Sequence, residues 1–389
     1  MALDTFLVST GLAVVVYCLS RAVHNLCFHS LAGFPGPWWA AASYWVEFYY
    51  DVIKGGRYFS VIAQMHDKYG PLVRINPNDL HLNDPYFYEQ LYSGSSQKRN
   101  KDKDFAAILG VKFALNVTLD HQLHRERRGY ISSLFSKQST QRMEPFIRGR
   151  IDKLVGRFRQ AHRDGEAIEG VQAFGALTTD IITRYAYGES FDELERPGYP
   201  CPLIRNVKGL LQSAHFRRFL PVVASLVEKL PERWMRRLVP TLGSYLDFQD
   251  KIMQFSIQAH ERNQTQAAAN KQRTIFDALT GPNVPPEEKT LERLKDESIL
   301  VLTAGLETTA HFLTAMVCYM VTCPGVLSKL RAELQSLGTS PGQQLTWSQL
   351  EALPYLTPVG AMPWLLNRHP DIFPDPDVFR PERWLEAER

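Results

Sequence analysis

The stretch that most constrains the fold is residues 283–325, "NVPPEEKTLERLKDESILVLTAGLETTAHFLTAMVCYMVTCPG". Acidic residues cluster at its start and Pro324-Gly325 closes it, so one helix of more than about 25 residues is predicted. Its second half is apolar, as in a helix that crosses a hydrophobic core. Within that half stand a carboxylate, Glu307, two hydroxyls, Thr308 and Thr309, and two small residues one turn earlier, Ala304 and Gly305. An ionised, unpaired Glu307 in a dry core would cost several kcal/mol, so it must meet water, a partner or a polar cavity. A threonine hydroxyl in a helix can bond back to the carbonyl four residues earlier and bend it. Gly305 weakens the helix at the same place. A disturbed hydrogen-bond ladder is therefore expected near Ala304–Thr308, an irregularity common at functional sites. An acid beside an alcohol beside a gap suits proton delivery, with Glu307 supplying protons and Thr308 positioning the acceptor. The competing reading is a structurally paired Glu307 with threonines that merely pack, and the motif alone leaves both open.

A second cluster lies in "DHQLHRERRGYISSLFS" (120–136), which reads as a basic helix. His124 and Arg128 are four residues apart and share one face. Such a pair can hold the carboxylates of a ligand, with Arg128 offering a two-pronged fork. A solvated charged face is the competing reading.

The remaining pattern is mostly helical, with long amphipathic stretches at 171–188, stopped by Gly188, and at 238–264. Residues 190–200 and 264–274 read as polar loops. "YGPLVRINPNDLHLND" (69–84) is a strand–turn–strand signal, with strands at Leu72–Ile75 and Leu80–Leu82 around Asn76-Pro77-Asn78. "HPDIFPDPDVFRPERWLEAER" (369–389) is dense in proline, and its Phe373, Phe379 and Trp384 predict an ordered, irregular meander. No repeat or low-complexity segment is present.

The N-terminus carries "FLVSTGLAVVVYCLS" (6–20), almost wholly apolar or small, followed by Arg21 and His24. An uncleaved membrane anchor and a signal peptide both fit the run. The positive charge after the run and the lack of an A-x-A site favour the anchor, and the positive-inside rule places the body in the cytosol. "GFPGPWW" (33–39) follows; Pro35-Gly36-Pro37 reads as a stiff hinge or as a surface turn. The net charge of +3 gives no ground for nucleic-acid binding. The five cysteines form no CxxC pair and no zinc spacing, so no metal ligands are assigned, and their odd number argues against a secreted disulfide scaffold.

Together these segments resemble the cytochrome P-450 family, of the microsomal type found in fungal secondary metabolism. "AGLETT" (304–309) is similar to the family's oxygen-binding motif, with Glu307 and Thr308 at its acid–alcohol pair. "HRERR" (124–128) resembles the haem-contacting helix, with Arg128 at the propionate-binding arginine and His124 where a tryptophan is usual. "FPDPDVFRPERW" (373–384) resembles the meander before the haem loop, "PGP" (35–37) the hinge behind the anchor, and "YGPLVRI" (69–75) the first strand. The resemblance implies a mainly α fold with a small β-sheet: an anchor over 1–32 and a partial family domain over 33–389. It implies haem as cofactor, electrons from NADPH through a membrane-bound reductase, and hydroxylation of a lipophilic small molecule such as a terpenoid or polyketide. It also implies an endoplasmic-reticulum membrane location. In this family selectivity sits around Phe105–Thr118, Leu203–Val239 and the central helix.

The sequence also departs from the family. "LPYL" (353–356) runs straight into "TPVGAMPWLLNRHP" (357–370), text that resembles a segment found tens of residues later in the family. The helix with the Glu-x-x-Arg pair that would lock onto Arg383 is therefore not in its place. The two matches to that pattern, Glu193/Arg196 and Glu386/Arg389, stand elsewhere. No cysteine lies in a haem loop after the meander. The expectation is an internally deleted, truncated member that lacks the axial thiolate and is inactive as written. A non-catalytic, membrane-tethered binding protein and a helical scaffold are the other classes open to such a chain.

Overall fold

Several helices in this chain start or stop at capping residues. The computed structural model describes residues 2–87, 90, 98, 100–103, 110–198, 201, 203–204, 214–238, 240–265, 274–338, 345–354, 368 and 372–383. The junction at 357–358, Trp384 and the Glu386/Arg389 pair lie outside the described residues, as do parts of both selectivity segments. Contacts divide the chain into two compact units, residues 1–97 with 360–379 and residues 98–359 with 380–389.

The first unit opens with α1 (Ala2–Val23), which runs on into a π-helical turn, His24–Phe28. Short helices α2 (Trp38–Ala42) and α3 (Trp45–Phe48) follow, then a second π-turn (Tyr49–Ile53) and α4 (Tyr58–Tyr69). Strands β1 (Leu72–Arg74) and β2 (Leu80–Leu82) form the expected hairpin, antiparallel, with Val73 opposite His81. Ala40, Tyr58, Met65 and Val73 make the core of this unit. Residues 372–379 are irregular, with Phe373 buried and Arg368 paired to Asp377.

The Pro35-Gly36-Pro37 segment is bonded along β1, where the Arg74 N–H donates to the Pro35 carbonyl at 2.7 Å. A Cβ on Gly36 would lie 2.5 Å from the Arg74 carbonyl oxygen, a backbone atom held by the hairpin. Gly36→Ala is expected to destabilise the protein by about 1–3 kcal/mol through overpacking. Urea unfolding followed by circular dichroism measures this, and an unchanged midpoint would show that the linker can move away from β1.

Among its described residues the second unit has helical pieces at 203–204 and 214–219 and ten further helices. These are α5 (His121–Ile131), α6 (Lys137–Asp164), α7 (Gly170–Tyr187), α8 (Pro221–Glu228), α9 (Glu232–Leu238), α10 (Pro240–Thr265), α11 (Ile275–Leu279), α12 (Leu291–Thr322), α13 (Pro324–Ser336) and α14 (Trp347–Glu351). Asp120 caps α5 and Thr290 caps α12 through their side-chain oxygens, while Gly165 and Gly188 end α6 and α7 in the left-handed conformation. The protein is thus mainly helical with a small sheet.

The central helix α12 has 32 residues, a rod of about 48 Å. It lies antiparallel to α7, with Ile182 against Gly305 and Thr314 against Gly170. Leu294, Ile299, Leu302, Leu306 and Ala310 bury its inner side. Two expectations are corrected here. The helix runs unbroken through Ala304–Thr308, because the back-bond from Thr308 to the Ala304 carbonyl is accommodated without loss of helical assignment. Residues 190–200 are not wholly a polar loop: Phe191, Glu193 and Leu194 are buried, and Asp180 of α7 accepts the backbone N–H groups of Glu193 and Leu194.

Candidate active site on the central helix

Positions 297, 304 and 308 are spaced by seven and four residues, so Glu297, Ala304 and Thr308 form one stripe along α12. Ala304 and Thr308 are exposed on it. The Thr308 hydroxyl donates to the Ala304 carbonyl at 2.7 Å, which fixes its rotamer and leaves its lone pairs open to accept. Glu307 is half-buried on the adjacent stripe. Its carboxylate lies 3.5 Å from Nδ1 of His311, an exposed residue one turn on, and that nitrogen also contacts the Glu307 carbonyl. One turn before Glu307, the Thr303 hydroxyl is buried without a hydrogen-bond partner among the described residues.

Gly305 faces the other way. A Cβ there would lie 2.8 Å from Ile182 Cγ1, so the glycine admits α7 against α12. Thr178 of α7 donates to the Leu306 carbonyl at 3.1 Å in the same contact. Close packing accounts for Gly305, and Ala304 alone supplies the small residue on the Thr308 stripe.

On α5, His124 is half-buried and Arg128 is exposed. The Arg128 guanidinium has no hydrogen bond or ion pair among the described residues. Burial, then the positive charges of Lys101, Arg128 and His121, hold the His124 imidazole below its usual pKa, so it is neutral at pH 7. Lys101, itself pushed down by burial, donates to the Asn116 carbonyl at 2.7 Å. Two cationic groups, Lys101 and Arg128, beside an imidazole suit a ligand that carries carboxylates.

The inward cation of this helix is Arg127. Its guanidinium forks onto Glu288 with two contacts of 2.8 Å and also donates to the Thr118 hydroxyl and the Phe113 carbonyl. Glu288 also accepts from Arg293 at 3.1 Å, and Arg293 pairs in turn with Glu297, whose carboxylate accepts the Leu115 N–H at 2.9 Å. Asp296 accepts the N–H groups of Lys112 and Phe113 at 2.8 and 3.0 Å. Residues 111–118 are thereby fastened to the start of α12, at one end of the stripe that carries Thr308. Sequence reasoning missed this network. The only local trace of it is the i,i+4 spacing of Arg293 and Glu297, since Arg127 and Glu288 are far apart in the chain.

A mainly helical protein with an acid–alcohol pair on its long core helix, and a further helix that carries unpaired cations, is the class these features define. The family description "Cytochrome P450" matches residues 35–359. The chain is 36% identical to "Cytochrome P450 monooxygenase TRI4" of Fusarium sporotrichioides over 418 positions, covering 96% of this chain and 79% of that protein. It is 34% identical to "Cytochrome P450 monooxygenase astB" of Aspergillus terreus, covering 96% and 81%. It is 33% identical to "Tryptophan 6-hydroxylase fscE" of Fusarium equiseti, covering 96% and 80%. The chain belongs to the cytochrome P450 family of monooxygenases.

Proposed function

We propose that this site serves NADPH- and O2-dependent hydroxylation of a lipophilic small molecule in secondary metabolism. The observation that carries this reading is the Ala304–Thr308 stripe with half-buried Glu307 beside it, in a chain of this family. Haem, when bound, would supply oxygen activation and C–H oxidation. The residues on α5, with Lys101 from the segment before it, fit its carboxylates: Arg128 and Lys101 bring charge, and His124 brings a hydrogen-bond donor. Glu307 relays protons to the site, and exposed His311 beside it links that carboxylate to bulk water. The Thr308 hydroxyl orients the group that receives the proton.

α1 serves as the anchor, since the span Asp4–Phe28 is long and apolar enough to cross a membrane and its most apolar 18-residue window is unburied. Arg21 near its inner end fits a body in the cytosol, at the endoplasmic reticulum, within reach of a membrane-bound NADPH reductase. With 1–32 as anchor, 33–389 is the family domain.

We also propose that a polypeptide of these 389 residues does not hold haem through a thiolate. Supporting this, the family match stops at residue 359, next to the junction at 357–358, and alignments of 418 positions exceed the 389-residue chain and so open gaps within it. Cys318 and Cys323 share a helix or its end with Thr308, and Cys201 is buried against Thr179. The same gap favours a second reading, a membrane-tethered binding protein without turnover.

Haem titration of the purified polypeptide tests the carboxylate site. Arg128→Ala should weaken uptake by about tenfold or more, the worth of one charged hydrogen bond. Equal uptake by the variant and the parent would remove Arg128 from the site.

A further inference from the structure

α4 and the hairpin meet through two imidazoles. His66 Nε2 lies 2.8 Å from His81 Nδ1, and His66 Nδ1 lies 2.8 Å from the Gly70 carbonyl oxygen. His66, near the end of α4, is buried, and His81 on β2 is half-buried. A carbonyl only accepts, so His66 Nδ1 carries the proton of that contact and His66 Nε2 is left as a lone pair. His81 Nδ1 is then the donor between the rings, and a further proton would add at His81 Nε2. The ring centroids are 5.0 Å apart with the planes at 62°, so the rings do not stack. Two imidazoles joined head-on by a hydrogen bond of this length have centroids about 5.1 Å apart. A metal ion bound by both nitrogens at about 2.0–2.1 Å would splay the rings and bring the centroids to about 4.4 Å. The contact is built around a proton, not around a metal ion.

We propose that His66 and His81 form an acid-sensitive latch, which holds the β1–β2 hairpin on α4 at neutral pH and releases it in acid. The hairpin is the part of this unit that grips the foot of α1. The buried Arg74 guanidinium donates to the Asn25 carbonyl at 3.0 Å and to the Pro77 carbonyl at 2.7 Å. Releasing the hairpin therefore loosens the junction between α1 and the rest of the unit. In water an imidazole takes up its second proton near pH 6.5. In the closed latch burial, and then the charge of His66, push His81 down to about 4. Between these values the closed form binds fewer protons than the open one. The latch is thus fully stable above pH 6.5 and loses stability as pH falls from 6.5 towards 4. The other charged groups of these elements act elsewhere. Asp67 and Lys68, next to His66 on α4, are exposed. Asp79 in the hairpin turn accepts from Asn76 at 2.6 Å, Asp84 after β2 accepts the Tyr86 N–H at 2.9 Å, and Arg74 on β1 is bonded to carbonyls. The latch needs neither haem nor turnover.

The test is hydrogen exchange of the full chain in detergent micelles, read by mass spectrometry on a peptide that spans 70–84. The Ile75 N–H donates to the Asp79 carbonyl and the Asn83 N–H to the Pro71 carbonyl, so opening of the hairpin exposes both. Relative to the intrinsic rate at each pH, exchange in this peptide should speed up about tenfold between pH 7 and pH 5, a figure reduced for the partial exposure of His81. His81→Asn places an amide where Nδ1 stands. The amide can donate to His66 Nε2 or turn to present its oxygen, so His66 keeps a partner in either protonation state. Exchange in this variant should be nearly flat from pH 7 to pH 5. An equal speed-up in His81→Asn, or none in the parent, would overturn the proposal. The parent alone also decides the matter should the variant fail to fold. Its speed-up should begin near pH 6.5, and an onset only below about pH 5, where carboxylates titrate, would assign the opening to acids and not to this pair.

Discussion

Replacing Arg293 by alanine is expected to cost the fold about 3–5 kcal/mol, the range for removing one member of a buried ion pair. That is a large share of the stability of an ordinary domain. Arg293 is 4% exposed and bridges two acids, Glu288 and Glu297, of which Glu297 is 1% exposed. Without it Glu297 keeps the Leu115 N–H and carries an uncompensated charge in the core. Glu288 keeps the Arg127 fork and suffers less. Glu297→Gln in the Arg293→Ala background should recover part of the loss, because a neutral amide oxygen can still accept from Leu115. Urea denaturation of the three proteins measures both effects. A loss under about 1 kcal/mol for Arg293→Ala, within the range of surface pairs, would show that the network is solvated.

The second large effect falls on the segment next to the Thr308 stripe. Asp296 is the acceptor for two consecutive backbone N–H groups, and charged hydrogen bonds contribute about 1.5–3 kcal/mol each. Asp296→Ala should therefore speed hydrogen exchange at Lys112 and Phe113 by on the order of 100-fold. Asp296→Asn keeps an acceptor and should speed it much less. The Phe113 carbonyl remains held by Arg127, so the segment loosens from one side only. Exchange rates unchanged in Asp296→Ala would mean that residues 111–118 are held by packing rather than by this carboxylate.

Local signals made most of the helices legible. The acids and Thr290 before α12, Gly188 after α7 and the Asn-Pro-Asn turn of the hairpin each act within a few residues, so the sequence displays them. The juxtaposition of Glu307 and Thr308 on α12 was legible for the same reason, since the two are adjacent in sequence. Three features were not. The partner of Gly305 is Ile182 on another helix, and a glycine with a distant neighbour looks the same in sequence as one that opens a gap. Arg127 and Arg128 are indistinguishable in a run of basic residues, yet the helical turn sends one to Glu288 and leaves the other exposed. An outward stripe of Trp45, Tyr49 and Ile53 was hidden because apolar residues are read as core-facing, and here buried Glu47 and Asp51 reverse that rule. The predicted irregularity near Ala304–Thr308 overestimated what one hydroxyl back-bond does to a helix braced along α7.

The most direct measurement is the carbon monoxide difference spectrum of the reduced, haem-loaded polypeptide of these 389 residues. If the residues that face Thr308 and grip carboxylates are in place while no cysteine stands across from them, haem is taken up but the red-shifted band of thiolate ligation is absent. A histidine or a weakly held haem gives a band at shorter wavelength. Appearance of the thiolate-type band would contradict this, because one of Cys18, Cys27, Cys201, Cys318 and Cys323 would then be the axial ligand, and the chain would carry a complete haem site.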